Sequence, residues 1–162
     1  MSICRLLIVE DDVALAALLQ EYLREVDYDV CLCHRGDSAL EILEKETFDI
    51  VLSDVMLPGI SGQTILSRAS GDPSRTLVIL MTGFSNIEDA LHAVEHGAYD
   101  FVSKPFQLPE IRIRLDNAAR YQALLRRCQD SSVTGNRAKA EPVRISDQTV
   151  EKAYGFHMMG GN

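Results

Sequence analysis

Five short runs rich in Val, Ile and Leu recur along the chain, and each is followed by a stretch whose apolar residues repeat at helical spacing. The runs lie at 3–9, 28–33, within 48–59, at 76–81 and at 99–103. The third is stopped by Pro58-Gly59 and reads as a buried strand that delivers Asp54 to its carboxyl end. Helices are expected over 13 to about 26, from Asp37 to about 46, from the turn-rich 58–62 loop to about 70, over 87–96 and over 108–128. Asp12, Asp37 and Asn86 are placed to cap helices, Gly97 to end one, and Pro109 to occupy a first turn where its missing donor costs nothing. Strands joined through helices run parallel with both faces covered, so the expected fold is α/β: a doubly wound, five-stranded parallel sheet with five helices.

Parallel strands end on one edge of their sheet, where open α/β proteins keep their chemistry. Four of the five endings carry polar residues: Glu10-Asp11-Asp12, Asp54, Thr82 and Lys104. A lone Asp after a strand is most often a turn former or a cap, but several carboxylates gathered there repel one another unless a cation sits among them. Hard oxygen ligands, few of them from protein, suit Mg²⁺, which keeps waters and takes phosphate oxygens into its shell. Asp54 is then the candidate nucleophile toward phosphorus, with Lys104 supplying a second positive charge and the Thr82 hydroxyl or the next amide a hydrogen bond. No general base is required.

Composition narrows the class further. A chain of 162 residues with 46% hydrophobic and 25% charged content holds one ordinary domain. The net charge of -8 argues against direct binding of nucleic acid by this segment. No apolar run reaches the length of a membrane span and no signal pattern opens the chain, so a cytoplasmic location is expected. Cys4, Cys31, Cys33 and Cys128 lie in apolar patterns and are read as reduced packing residues, their spacing fitting no zinc site.

The motifs Leu-Leu-Ile-Val-Glu10-Asp11-Asp12, Leu-Ser-Asp54-Val-Met-Leu-Pro58-Gly59, Met-Thr82-Gly and Asp-Phe101-Val-Ser-Lys104-Pro105-Phe106 occur in order and at intervals that resemble the receiver domain of two-component response regulators, over residues 3 to about 125. The resemblance implies a flavodoxin-like topology, Mg²⁺, and phosphorylation of Asp54 by a histidine kinase or histidine phosphotransfer protein. It puts the metal on Asp11, Asp54 and the Met56 carbonyl, with Glu10 acting through water and Asp12 as a helix cap. Thr82 and Lys104 fall where the family contacts phosphate, and Lys104-Pro105 resembles its cis peptide. Phe101 stands at the position of the family's switch aromatic; its plainer reading is a core ring, and without a hydroxyl it lacks the hydrogen bond of a Tyr. Phosphorylation-dependent homodimerisation through the fourth and fifth helices is a further expectation.

Met56 and Phe84, each two residues beyond a site residue, are expected to overhang the phosphoryl group and slow its hydrolysis. A phosphatase or phosphotransferase using an aspartyl phosphate would want a second Asp at position 56 and a substrate cap. A flavin-binding relative would want a Ser-, Thr- and Gly-rich loop in place of Glu10-Asp11-Asp12. His92 and His96 share a helix face and are read as solvated surface for want of a third ligand nearby in sequence; His34 and His157 are read as loop and tail. Arg126-Arg127 reads as a favourable charge near the last helix's carboxyl end. Leu15, Leu18 and Leu19 are candidates for a kinase-facing surface or for core. Residues 1–128 are taken as the domain and 129–162 as a flexible tail or truncated linker with one short helix at 146–153.

Overall fold

The computed structural model describes residues 3–83 and 87–134. Its elements alternate strictly: β1 (Cys4–Val9), α1 (Val13–Glu25), β2 (Tyr28–Cys33), α2 (Gly36–Lys45), β3 (Ile50–Asp54), α3 (Gly62–Ala69), β4 (Leu77–Thr82), α4 (Ile87–Glu95), β5 (Asp100–Ser103) and α5 (Leu108–Thr134). The strands form one parallel sheet in the order β2-β1-β3-β4-β5. The chain therefore reverses direction between β1 and β3, and the crevice at their carboxyl ends is where such sheets hold ligands.

The continuous apolar runs are explained by burial on both faces. Alternate residues of one strand enter different cores, as the two-residue period of a strand requires. Leu6, Ile8, Ile50, Leu52, Ile79 and Met81 pack with Leu19 and Leu23 of α1 and Ile111, Leu115 and Ala118 of α5. Leu7, Val9, Val51, Val78 and Leu80 pack with Ala39 of α2, Ile65 and Leu66 of α3 and Ala93 of α4. All residues of β3 and β4 are buried, which fixes the register that sets Asp54 opposite Met81 and places Thr82 one step beyond it.

Asp12 caps α1, its carboxylate accepting from the Leu15 amide at 3.1 Å, and Ser61 caps α3 through the Thr64 amide at 3.3 Å. Asp37 does not cap α2. The helix begins one residue earlier, at Gly36, after an Arg35 that makes no side-chain cap, and the Gly36 amide donates instead to the Pro58 carbonyl at 3.0 Å. A neighbouring loop thus satisfies one of the first-turn donors that have no partner within the helix. Asp37 lies in the first turn, paired with Arg35 at 3.0 Å. Gly97 ends α4 with φ of 101°, and Asn86 lies outside the described residues.

The fifth helix runs to Thr134, past the expected end at Cys128. Its apolar periodicity fades after Leu125, but no Gly or Pro stands between Pro109 and Gly135, so nothing in that stretch breaks the helix. Arg126 consequently is not in a last turn. Its guanidinium donates to the Ser74 carbonyl at 2.7 Å and to Asp49 Oδ1 at 2.7 Å, clasping the amino-terminal edge of the sheet. The short helix expected at 146–153, His157 and most of the expected tail lie outside the described residues.

Candidate functional site

The carboxyl ends of β1 and β3 bring Glu10, Asp11 and Asp54 together, with one carboxylate oxygen from each lying within 4.8 Å of the others. Glu10 is wholly buried and Asp54 nearly so, while Asp11 is exposed. From the loop after β5, Lys104 reaches between the two buried acids: its Nζ lies 2.5 Å from Glu10 Oε1 and 2.5 Å from Asp54 Oδ2. The Lys104 amide donates to the Thr82 carbonyl at 2.7 Å, which ties this loop to the end of β4, and the Lys104-Pro105 peptide is cis.

Each acid is held by backbone. Glu10 Oε2 accepts from the Asp12 amide at 3.1 Å, and the Glu10 amide donates to the Cys33 carbonyl at 3.0 Å. Asp54 Oδ1 accepts from the Met56 amide at 2.9 Å. Burial pushes the Glu10 carboxyl above its ordinary pKa; hydrogen bonds from Lys104 and Asp12 oppose that shift, while the charge of Asp54 adds to it. For Lys104, burial works against the charged form, but its bonds to Asp54 and Glu10 prevail and raise its pKa. The ammonium therefore stays charged at neutral pH.

Three carboxylates against one ammonium leave an excess of negative charge in a largely buried site, and the donors are all hard oxygens. The residues present fit Mg²⁺, with Asp11 open to solvent and able to receive a hydrated ion. Beside the acids, Thr82 and Phe101 line a cavity of about 210 Å³ with Val55, Leu80 and Ala93. Phe101 is half-buried and packs against the core under α2, α3 and α4. Met56 is 70% exposed and lines the same cavity.

The sequence-based candidates Glu10, Asp11, Asp54 and Lys104 thus converge, Thr82 and Phe101 lie one strand and two strands away from Asp54, and Met56 engages Asp54 through its amide. Of the helix-α1 candidates, Leu19 is fully buried, Leu15 half-buried and Leu18 49% exposed. Phe84 lies outside the described residues. Two contributors escaped sequence reasoning. His34 Nδ1 stands 2.9 Å from the Glu10 carbonyl, and Gly36 holds the loop that follows Asp54. Neither sits in an apolar pattern or a recognisable spacing, so no local signal marks them.

A two-core parallel sheet whose switch point gathers three acids and a lysine defines a signalling module of the receiver class. The chain belongs to the response regulator receiver domain family, whose model matches residues 6–116. It is 39% identical over 115 residues to the uncharacterized transcriptional regulatory protein YkoG of Bacillus subtilis, covering 71% of this chain and 50% of that one. It is 35% identical over 122 residues to the transcriptional regulatory protein DltR of Streptococcus agalactiae, covering 75% of this chain and 54% of that one. The chain thus spans about half the length of these curated relatives.

Solved structures agree. The CheY-like receiver domain protein of Methanospirillum hungatei matches with a TM-score of 0.70 at 26% identity, over 75% of this chain and 98% of that one. The BeF3-activated receiver domain of Klebsiella pneumoniae RstA matches with a TM-score of 0.65 at 32% identity, over 70% and 97%. The chain is therefore a two-component receiver domain with the flavodoxin-like arrangement of five parallel strands and five helices. No helix among the described residues is long and apolar enough to cross a membrane.

Proposed function

We propose that Asp54 accepts a phosphoryl group from a phosphohistidine of a histidine kinase or histidine phosphotransfer protein. The observation that carries this reading is the Lys104 ammonium, 2.5 Å from Asp54 Oδ2 and itself fixed by Glu10. Asp54 Oδ attacks phosphorus, the bond from phosphorus to the donor imidazole breaks, and the imidazole nitrogen keeps the electron pair and takes up a proton. Bound between Asp11, Asp54 and the Met56 carbonyl, with Glu10 reaching it through water, Mg²⁺ would neutralise charge on the phosphoryl oxygens. Lys104 is placed to turn from Glu10 and Asp54 toward a new phosphoryl oxygen, and the Thr82 hydroxyl to donate to another. Catalysis is confined to this self-directed transfer, and the adduct decays slowly because Met56 overhangs the site.

The switch is carried by Thr82 and Phe101. Movement of Thr82 toward the phosphoryl group enlarges the cavity it shares with Phe101, which admits the ring and shifts the surface of α4, β5 and α5. Exposed Leu91 on α4 and Ile113, Tyr121 and Leu124 on α5 support phosphorylation-dependent homodimerisation there. The phosphodonor docks on α1, where Leu15 joins Lys104, Pro105 and Phe106 around an apolar hollow beside the site. We assign residues 1–128 to the receiver and 129–162 to a linker or tail. The protein works in the cytoplasm, and the names of its relatives support a transcriptional output.

Incubation with Mg²⁺ and acetyl phosphate tests the reading. Intact mass is expected to rise by one phosphoryl group in the native chain and not in Asp54→Asn, and size exclusion of the adduct reports the oligomer. An adduct retained in Asp54→Asn would overturn the assignment.

A further inference from the structure

Away from the acidic site, His92 and His96 stand one helical turn apart at the carboxyl end of α4. Their rings stack with centroids 4.1 Å apart and an interplanar angle of 23°, and both residues are exposed. His96 Nδ1 lies 2.8 Å from the His92 carbonyl oxygen. A carbonyl only accepts, so Nδ1 carries the proton, and in the neutral ring the lone pair resides on Nε2. An imidazole whose second nitrogen donates to a backbone carbonyl is held in the tautomer and orientation of a metal ligand.

We propose that His92 and His96 form a bidentate site for a borderline divalent transition-metal ion of the Zn²⁺ class, seated in the groove between α3 and α4. Two histidines at i and i+4 are the spacing with which one helix face chelates Zn²⁺. Tilting two rings already stacked brings both Nε2 atoms to about 2.1 Å from one ion. Glu88 stands one turn before His92 in the sequence, and the fold supplies a wall across the groove. A cavity of about 270 Å³ is lined by both histidines and, from α3, by Gln63, Thr64 and Ser67. The Ser67 hydroxyl donates to the Gln63 carbonyl at 3.2 Å, so its oxygen keeps lone pairs able to accept. The cavity has room for waters to complete a four-coordinate shell. Nitrogen donors distinguish this site from the all-oxygen acid cluster, so the two select different metals.

The site is tested on the full chain in a Cys128→Ser background, which removes an exposed thiol that would compete for the ion. Zn²⁺ is titrated calorimetrically with Mg²⁺ in large excess to occupy the acid cluster, and the imidazole carbon-bound protons are followed by NMR. One ion per chain is expected, with shifts at His92 and His96. His92→Gln and His96→Gln, both at exposed positions, should each weaken binding by at least about tenfold, the loss that even outer partners of a metal cause. Equal affinity in the double variant, or shifts confined to the neighbourhood of Glu10 and Asp11, would overturn the proposal. An ion shared by two chains, seen as a Zn²⁺-dependent dimer, would overturn it equally.

Discussion

Lys104 and Asp54 are joined across fifty positions of sequence by a 2.5 Å contact between Nζ and Oδ2, and the same ammonium serves Glu10. Lys104 is the internal counter-cation of two buried carboxylates. Replacing it by Met keeps the apolar stem and removes the charge, leaving both acids without their ammonium. Breaking a buried ion pair from one side costs about 3 kcal/mol or more. Lys104→Met should therefore lower the urea midpoint in the absence of metal. Added Mg²⁺ should raise it by more than in the native chain, since an ion then supplies the missing charge. An unchanged midpoint would mean that the contact contributes nothing to the fold.

The corner before α2 braces the loop after Asp54. A β-carbon on Gly36 would lie 1.8 Å from the Ile60 carbonyl oxygen, and one on Gly62 would lie 2.2 Å from the Asp54 carbonyl oxygen, both backbone atoms with little freedom to yield. Gly36→Ala and Gly62→Ala should each cost at least about 2 kcal/mol by forcing chain apart from chain. Gly71 provides the control, since nothing lies within 4 Å of a β-carbon there. Gly71→Ala should leave stability within about 0.5 kcal/mol of the native value. Denaturant titration of the three variants checks the order.

At the opposite edge, buried Gln122 donates to the Asp49 carbonyl at 2.8 Å and the Pro73 carbonyl at 3.2 Å. Gln122→Ala removes the donor from both and should destabilise by about 2 kcal/mol. The acid cluster is at the other end of the strands, so Mg²⁺ affinity should not change. A parallel loss of Mg²⁺ binding would show that the two edges are coupled.

The thiols should separate by environment. Burial, and then the charge of Asp49, push the Cys4 thiol up to about 12 from an ordinary 9.0, whereas Cys128 is exposed. Iodoacetamide at pH 8 should label Cys128 first and Cys4 slowly, as peptide mass will report. The same shift carries a stability consequence. Below pH 9 the Cys4 thiol is protonated folded or unfolded and contributes no pH dependence. Above that the unfolded chain releases the proton and the folded one keeps it, so stability falls as pH rises toward 12. Tyr28, raised by burial and by its bond to Asp116, adds to the fall above pH 10. Cys4→Ala should flatten the first part of this decline.

Strands β1, β3 and β4 were legible because a segment buried on both faces has to be apolar throughout. Glu10, Asp11, Asp54 and Lys104 were legible because parallel strands share an edge. The hidden features are contacts between residues far apart in sequence. The second helix begins at Gly36, whose amide Pro58 receives, and not behind an Asp37 cap, and Arg126 reached Asp49 and Ser74 instead of resting near a helix end. Glu10 was expected to reach the metal through water, and its further hold on Lys104 depends on a fifth strand that arrives about ninety residues later. Side-chain periodicity reports which face is buried; it carries no record of which partner crosses from another loop.

The lifetime of the phosphoryl group should be set in part by Met56. Its amide donates to Asp54 Oδ1 at 2.9 Å, which fixes the residue beside the acceptor, and its side chain is 70% exposed and lines the cavity that holds Thr82. A thioether offers attacking water only a weak acceptor and obstructs an in-line approach to phosphorus. The shorter carboxamide of Asn can both accept from water and donate to it, orienting the attack. Met56→Asn should therefore shorten the acyl-phosphate half-life by about tenfold, equivalent to ~1.4 kcal/mol of barrier. Decay is followed by intact mass after removal of acetyl phosphate, with Asp54→Asn as the blank. Because Met56 is exposed, its replacement should leave the unfolding midpoint in place, so faster decay at unchanged stability would locate the effect in the approach of water. An unchanged or slower decay would remove Met56 from the control of lifetime.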